Sequence, residues 1–534
     1  MFNWGKKPDH PMSSVEEARK LLAELPQDDP GKALEETGGW MGSVKDAEGF
    51  KPELRAAVLE FLEDSAVPHH DRLLSEYLHS PQLYEAKSQG RLKQMLGFWT
   101  EALGAFLASA AELEPHAAKS AQNTAAFHGV LCRGLHAASS IAKCRRLGYR
   151  PVEDIIWDKL CQLYQMAERA QLASAPIRVW KSDPLPTSPV QELLRALMLH
   201  AAAPRNLAPE HTEMAFRLGG RVSSSFALSD RPGEGLRFCV DLETPGPPVE
   251  AEFAPADMAA PRWFGAGTAL ARIEELLKHD DADVLPTDRQ GARAFSVWDK
   301  VTVLRHLATY WGEARPLRRS ERTAMSGGLQ VLDSFKAVRT VMPQSGTDES
   351  SQIAELKKEK AKLELERETV DRVPEVWALR DVSHDGIGAD IPPRADLWVK
   401  VGRICAVKLE SEANWWVGVV RWLDAGRRGA LRVGIDLLSR RPRALWLKFV
   451  GEGQTAAQNW ETSSGSYSYD YLNVVLLFPD GARSLDDATM LMEPEGFKAD
   501  FVTEALMGEK SRLVRLGQPV ATGDDYVIAS CKWL

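Results

Sequence analysis

Long apolar runs are missing from this chain of 534 residues. Nothing in it approaches the roughly 20 consecutive apolar residues that a spanning helix requires, so no membrane span is expected. The opening stretch, Met1 to Pro8, lacks the apolar core of a secretory leader, and a cytoplasmic location is the expectation. Cysteine is scarce as well. The six residues Cys132, Cys144, Cys161, Cys239, Cys405 and Cys531 are scattered and form no C-x-x-C pair. That spacing fits neither a disulfide scaffold nor a zinc site. There is no G-x-S-x-G, no phosphate-binding loop, and no pair of carboxylates that the sequence justifies as catalytic. Neither an enzyme nor a cofactor nor a metal is expected. Positive charge is in deficit, 66 Lys and Arg against 75 Asp and Glu for a net charge of −9. A mildly acidic surface does not draw a polyanion, so nucleic acid is not an expected partner.

What is present is ordinary globular material, 44% hydrophobic and 26% charged, enough for several cores. Residues 1–50 read as a polar lead-in with one short helix from Val15 to Leu25, capped by Ser14. A helical domain follows over 51–220, where Leu54, Val58, Leu59 and Leu62, and later Leu92, Met95, Leu96, Trp99 and Leu103, recur at helical spacing. A mixed connector is expected over 221–312, with strands at Arg237–Glu243 and Val249–Phe253 and helices at Gly267–Lys278 and Val297–Trp311. The chain then turns mainly β, with strands expected at Gly328–Phe335, Trp398–Leu409, Trp415–Leu423, Leu431–Leu437 and Trp446–Val450. Asn473–Phe478 and Tyr526–Trp533 continue the pattern in a β-rich extension over 453–534. A charged helical insert is expected at 350–372, where Ile353, Leu356, Leu363 and Val370 fall on heptad positions. It reads as a solvated helix, with self-association through 353–370 as the sharper option.

Three features of the β region converge. Arg318-x-x-x-Arg322 lies ahead of the first strand, with Arg315/Arg319 as a competing register. Asp381-Val-Ser-His-Asp-Gly386 sits where a strand should turn. Trp416-Val-Gly418-Val-Val-Arg-Trp422 and Arg432-Val-Gly-Ile435 follow in order. This set resembles the PilZ family of bacterial cyclic-di-GMP receptors over about residues 313–450. The resemblance implies a six-stranded antiparallel β-barrel over 313–452 carrying the insert, within a multidomain α + β chain. It also implies cyclic-di-GMP as ligand, with Arg318, Arg322, Asp381, Ser383 and Gly386 as contacts and Arg315 and Arg319 as less certain ones. The chemistry is consistent. Guanidinium groups pair with phosphate oxygens or the guanine N7/O6 edge, and a carboxylate accepts from guanine N–H groups. A receptor of this kind would pass ligand binding to an unidentified protein partner through its helical region. The alternative is a barrel that has lost its ligand, in a scaffold or adaptor that self-associates through helices.

Other candidates read as structural. His69-His70-Asp71 lacks the further ligands of a metal site and is expected at a helix cap or surface. His128 and His136 share a helical face as a partly buried pair. Gly148-Tyr-Arg-Pro151 ends a helix. Arg440-Arg441-Pro442-Arg443 is expected to be solvated. Trp4, Trp40 and Trp533 lie near the ends of the chain as potential docking points, against a plainer reading as core.

Overall fold

The computed structural model describes residues 8–26, 28–80, 82–180, 185–279, 297–313, 320–343, 373–393, 398–426, 430–449, 471–482, 484–507 and 510–534. The expected insert at 350–372, together with Trp4, Arg315, Arg318 and Arg319, lies outside these residues. The chain divides into two compact units, Met1–Leu317 with Arg394–Trp398, and Arg318–Pro393 with Val399–Leu534.

The first unit is mainly helical: α1 (Val15–Leu22), α2 (Pro30–Asp46), α3 (Pro52–Leu78), α4 (Ala86–Leu113), α5 (Ala121–Leu147), α6 (Asp154–Arg169), α7 (Pro189–Ala201) and α8 (Pro209–Arg221). A small antiparallel sheet follows, with strands β1 (Ala227–Ser229), β2 (Phe238–Asp241), β3 (Val249–Glu250) and β4 (Pro261–Gly265) in the order β1-β4-β2-β3. α9 (Ala269–His279) and α10 (Val297–Trp311) complete it. Residues 1–50 hold more than the one helix expected of them. α2 buries Ala33, Leu34, Met41 and Val44, and packs against α3 and α4. Its glycines Gly31, Gly38, Gly39 and Gly42 dilute both helix propensity and the apolar pattern, so tertiary packing rather than local preference makes it a helix.

α5 is the axis of this unit. Ser120 caps it by accepting from the Asn123 N–H, and it ends at Gly148, ahead of Tyr149 with φ +55°. From Phe127 to Cys144 nearly every residue is buried, which suits a helix of small and apolar residues with neighbours on all sides. Several of the polar side chains it buries have partners. Arg133 Nη1 donates to Glu63 Oε2 at 2.6 Å, and Lys143 Nζ lies 2.9 Å from Glu213 Oε2. His136 bonds Glu192 at 3.1 Å and His128 is buried. His70 departs from its expected cap or surface position: it lies in mid-α3, 5% exposed and edge-on to Trp99.

The second unit contains two closed, six-stranded antiparallel barrels. The first uses β5 (Thr323–Asp333), β6 (Glu375–Val382), β7 (Gly386–Ile391), β8 (Ile404–Leu409), β9 (Trp416–Ala425) and β10 (Leu431–Ser439). Around the barrel they run β5-β6-β7-β10-β9-β8. The second uses β11 (Arg443–Phe449), β12 (Tyr471–Leu477), β13 (Thr489–Met492), β14 (Val502–Met507), β15 (Lys510–Thr522) and β16 (Val527–Trp533), in the order β11-β12-β13-β16-β15-β14. The β-rich extension is thus a barrel of its own once β11 is counted with it: that strand, expected within the first barrel, pairs with β12 and β14 instead. Trp533 is buried in it and donates its indole N–H to the Leu485 carbonyl.

A short helix, α11 (Phe335–Val341), lies between the barrels. Its Phe335 and Val338 pack with Ile404 and Ala406 of β8, Val417 and Val419 of β9, Val475 and Leu477 of β12, and Ile528 of β16. This explains a feature of the sequence. Strands covered on both faces read as continuous apolar runs, and Ile404-Cys-Ala-Val407 and Val417–Val420 do not alternate. Polar contacts join the same faces. Asp525 accepts the Phe335 N–H at 3.0 Å, and the Tyr526 hydroxyl donates to the Gly402 carbonyl at 3.0 Å.

Candidate functional site

β6 and β7 are joined by Ser383, His384 and Asp385. The Ser383 N–H donates to the Gly386 carbonyl at 2.8 Å and its hydroxyl reaches the same oxygen at 3.3 Å, so the connection is closed by its own residues. Asp385 O accepts from the Leu437 N–H at 2.9 Å, tying the turn to β10. At Gly386 a β-carbon would stand 2.9 Å from the Ile435 carbonyl oxygen. A real Cβ does not fit there, so the position needs glycine for close approach of two strands.

Asp381 is the second-last residue of β6, paired with Ala324 of β5 on one side and Gly388 of β7 on the other. Both ladders change register here, between Leu379 and Asp381 and between Ala324 and Gly327. Such bulges re-aim side chains at barrel rims. Arg322 immediately precedes β5, and its Nη1 donates to Asp381 Oδ1 at 2.6 Å. Both side chains are 27% exposed, so the pair is reachable from solvent. The fold therefore gathers Arg322, Asp381, Ser383 and Gly386 at one rim, across 59 residues between the arginine and the aspartate. The other three arginines of the expected site are those outside the described residues.

One residue of this rim was assigned otherwise from sequence. Arg440, expected to be solvated, donates from Nη2 to the carbonyls of Ser383 and His384, both at 3.0 Å. Its guanidinium lies 4.3 Å from the Trp416 ring centroid, and its Nε pairs with Asp480 at 3.5 Å. The same carboxylate lies 3.2 Å from His384 Nε2. Arg441 and Arg443 are exposed, as expected. Nothing local marks Arg440, because its acceptors are backbone carbonyls 56 and 57 residues away.

A family model described as "Cyclic-di-GMP receptor FimW, N-terminal domain" matches residues 16–233. A second, "Cyclic-di-GMP receptor FimW, middle PilZ domain", matches residues 333–443. The chain belongs to the FimW family of cyclic-di-GMP receptors. The PilZ match runs from the last residue of β5 to the first of β11 and contains the Asp381–Gly386 turn. The helical region, on which the PilZ resemblance alone was silent, is the family's own N-terminal domain. No curated protein and no solved structure matches the chain. Among the described residues, no helix is long and apolar enough to cross a membrane, and no cluster of three or more His, Cys, Asp or Glu is placed to hold a metal ion.

Proposed function

We propose that this FimW-family chain binds cyclic-di-GMP at the rim where Arg322 meets the Asp381–Gly386 turn. The observation that carries the reading is the 2.6 Å contact between Arg322 and Asp381. It brings the arginine ahead of the first strand to the acidic residue of the turn, the two halves of the PilZ pattern. A partly exposed ion pair of this kind is worth of order 1 kcal/mol, so an anionic ligand displaces it at small cost. The Arg322 guanidinium then takes a phosphate or a guanine edge, joined by Arg318, with Arg315 and Arg319 as further contacts. Asp381, released, accepts from guanine N–H donors. Ser383 adds a hydroxyl, and Gly386 keeps the β6–β7 turn close against β10.

The arginine segment follows α10 directly in the chain. Its engagement by the ligand is the step by which occupancy reaches the helical region and a protein partner. The action is that of a receptor rather than an enzyme. Such a switch works only through a difference in ligand affinity between two arrangements. Calorimetry with cyclic-di-GMP on the full chain tests the binding step. Wild type is expected to bind and Arg322→Ala to bind at least tenfold more weakly, the 1.4 kcal/mol expected for one charge-assisted contact. Absence of heat with wild type, or equal affinity of the two proteins, overturns the proposal.

A further inference from the structure

The two barrels of the second unit follow one plan. Counted from its own first strand, each closes in the order 1-2-3-6-5-4. Only three residues separate the two, since β10 stops at Ser439 and β11 starts at Arg443. The likeness extends to the rim. In the first barrel an arginine just ahead of strand one, Arg322, pairs with an aspartate at the end of strand two, Asp381. In the second, Arg440 stands just ahead of strand one and pairs with Asp480, just past the end of strand two. The second barrel is a topological repeat of the first, with an arginine–aspartate pair in the corresponding place.

What the second pair does is different. Asp480 is followed by Gly481-Ala482 and no D-x-S-x-x-G hexapeptide stands there. Arg440 is turned onto the first barrel instead, where one nitrogen holds the carbonyls of Ser383 and His384. Trp416 of β9 backs its guanidinium at 4.3 Å. Asp480 holds both Arg440 and His384, at 3.5 and 3.2 Å. Beside them the Ser439 hydroxyl donates to the Phe478 carbonyl at 2.9 Å and accepts the Phe478 N–H at 3.1 Å, so the link between the barrels is pinned to the end of β12. An unbroken chain of polar contacts thus runs from the ligand turn to the second barrel.

From this we infer that Arg440 is a positioning residue for cyclic-di-GMP, and that the second barrel, through Asp480, holds the Ser383–His384 turn in its ligand-ready form. The inference rests on the binding reading given above. Two carbonyls bound by one planar cation fix the turn's peptide planes, and with them the direction of the Ser383 hydroxyl and of the following amides. Coupling is reciprocal: whatever the second barrel lends to ligand affinity, the ligand returns as tighter closure of the second barrel's 478–482 loop.

The test uses the full chain, with calorimetry and amide hydrogen exchange in the presence of cyclic-di-GMP. Arg440→Ala is expected to bind about tenfold more weakly than wild type, the weakening expected for loss of charge-assisted bonds. In wild type the ligand slows exchange across 478–482; in Arg440→Ala, saturating ligand leaves that exchange unchanged. A role confined to stability would not abolish a ligand-dependent signal at saturation. Asp480→Asn, a milder change at a loop, carries the same expectations should Arg440→Ala fail to fold. Wild-type affinity in both variants, or undiminished protection of 478–482, overturns the inference while leaving the site itself intact. Absence of wild-type binding removes the site and this inference together, whereas loss in Arg322→Ala alone removes only this one.

Discussion

Gly388 faces Asp381 across the β6–β7 ladder, where a β-carbon would stand 2.7 Å from Asp381 Oδ1. The aspartate lies over the glycine because nothing projects from it, and that placement brings the carboxylate to Arg322. Gly388→Ala must push the carboxylate aside. The expected result is cyclic-di-GMP affinity reduced by an order of magnitude or more, with a stability loss of about 1–2 kcal/mol from the displaced side chain. Calorimetry and a denaturant titration of the same variant separate the two effects.

Trp422 and Gly434 form a second such pair, on β9 and β10. A β-carbon at Gly434 would fall 1.8 Å from the indole Nε1, so the ring occupies that space. Gly434→Ala is expected to destabilise the barrel unit by about 1–3 kcal/mol through forced repacking. For a unit of this size that is a shift of roughly 2–4 °C per kcal/mol in calorimetric melting temperature. A melting temperature within a degree of wild type would show that the ring moves freely.

In the helical unit, Arg133 and Glu63 are 2% and 1% exposed, and Arg133 also reaches Asp64 at 2.9 Å. Removing one member of a buried pair strands the other charge. Arg133→Ala is expected to cost about 3–5 kcal/mol, with the double change Arg133→Met, Glu63→Leu far less damaging because the charge left behind, Asp64, is 30% exposed rather than buried. Urea unfolding followed by tryptophan fluorescence provides the comparison.

The same unit should be acid-sensitive. Burial, with Arg146 and Arg205 nearby, lowers His200 to about 3; burial lowers His306 to about 4, against the opposing pull of the Ala202 carbonyl. Both stay neutral in the folded chain while the unfolded chain takes up protons below pH 6.5. Stability is therefore full above pH 6.5 and falls as the pH drops towards 4 and 3, by at most about 1.4 kcal/mol per pH unit for each histidine. Glu213 adds to this at lower pH. Burial would raise it, but Lys143 and Arg217 hold it at about 2, so its contribution is lost between pH 4.5 and 2. Urea midpoints at pH 7.5 and 5.5 should differ for wild type and differ less for His306→Gln.

Local pattern carried much of this architecture. α10 runs from Val297 to Trp311 as its periodicity indicates, and the apolar strands from Ile404 to Ile435 were plain. The Asp381–Gly386 turn was equally legible, since its residues are neighbours. Closure of the second barrel was not, because β14 pairs with β11 across more than fifty residues and β15 changes register around Pro519. Strands broken in this way lose the alternation by which strands are recognised. α2 was hidden by its glycines, and His70 by the Trp99 ring that covers it from another helix. Arg440 was read as solvated for a related reason: a charge bonded to distant backbone leaves no trace in its own neighbourhood.

The apolar layer around α11 bears on how the receptor can be taken apart. A fragment ending at residue 443 would keep every strand of the first barrel, yet it would lose Ala444, Val475, Leu477, Leu491 and Ile528. Ile404, Ala406, Val417 and Val419 would then face water along one side, a sticky surface on an otherwise intact fold. The first barrel is therefore no detachable cassette. It shares an apolar layer with its C-terminal twin, and a truncation far downstream of the Arg322–Asp381 rim is expected to make the first barrel prone to aggregation.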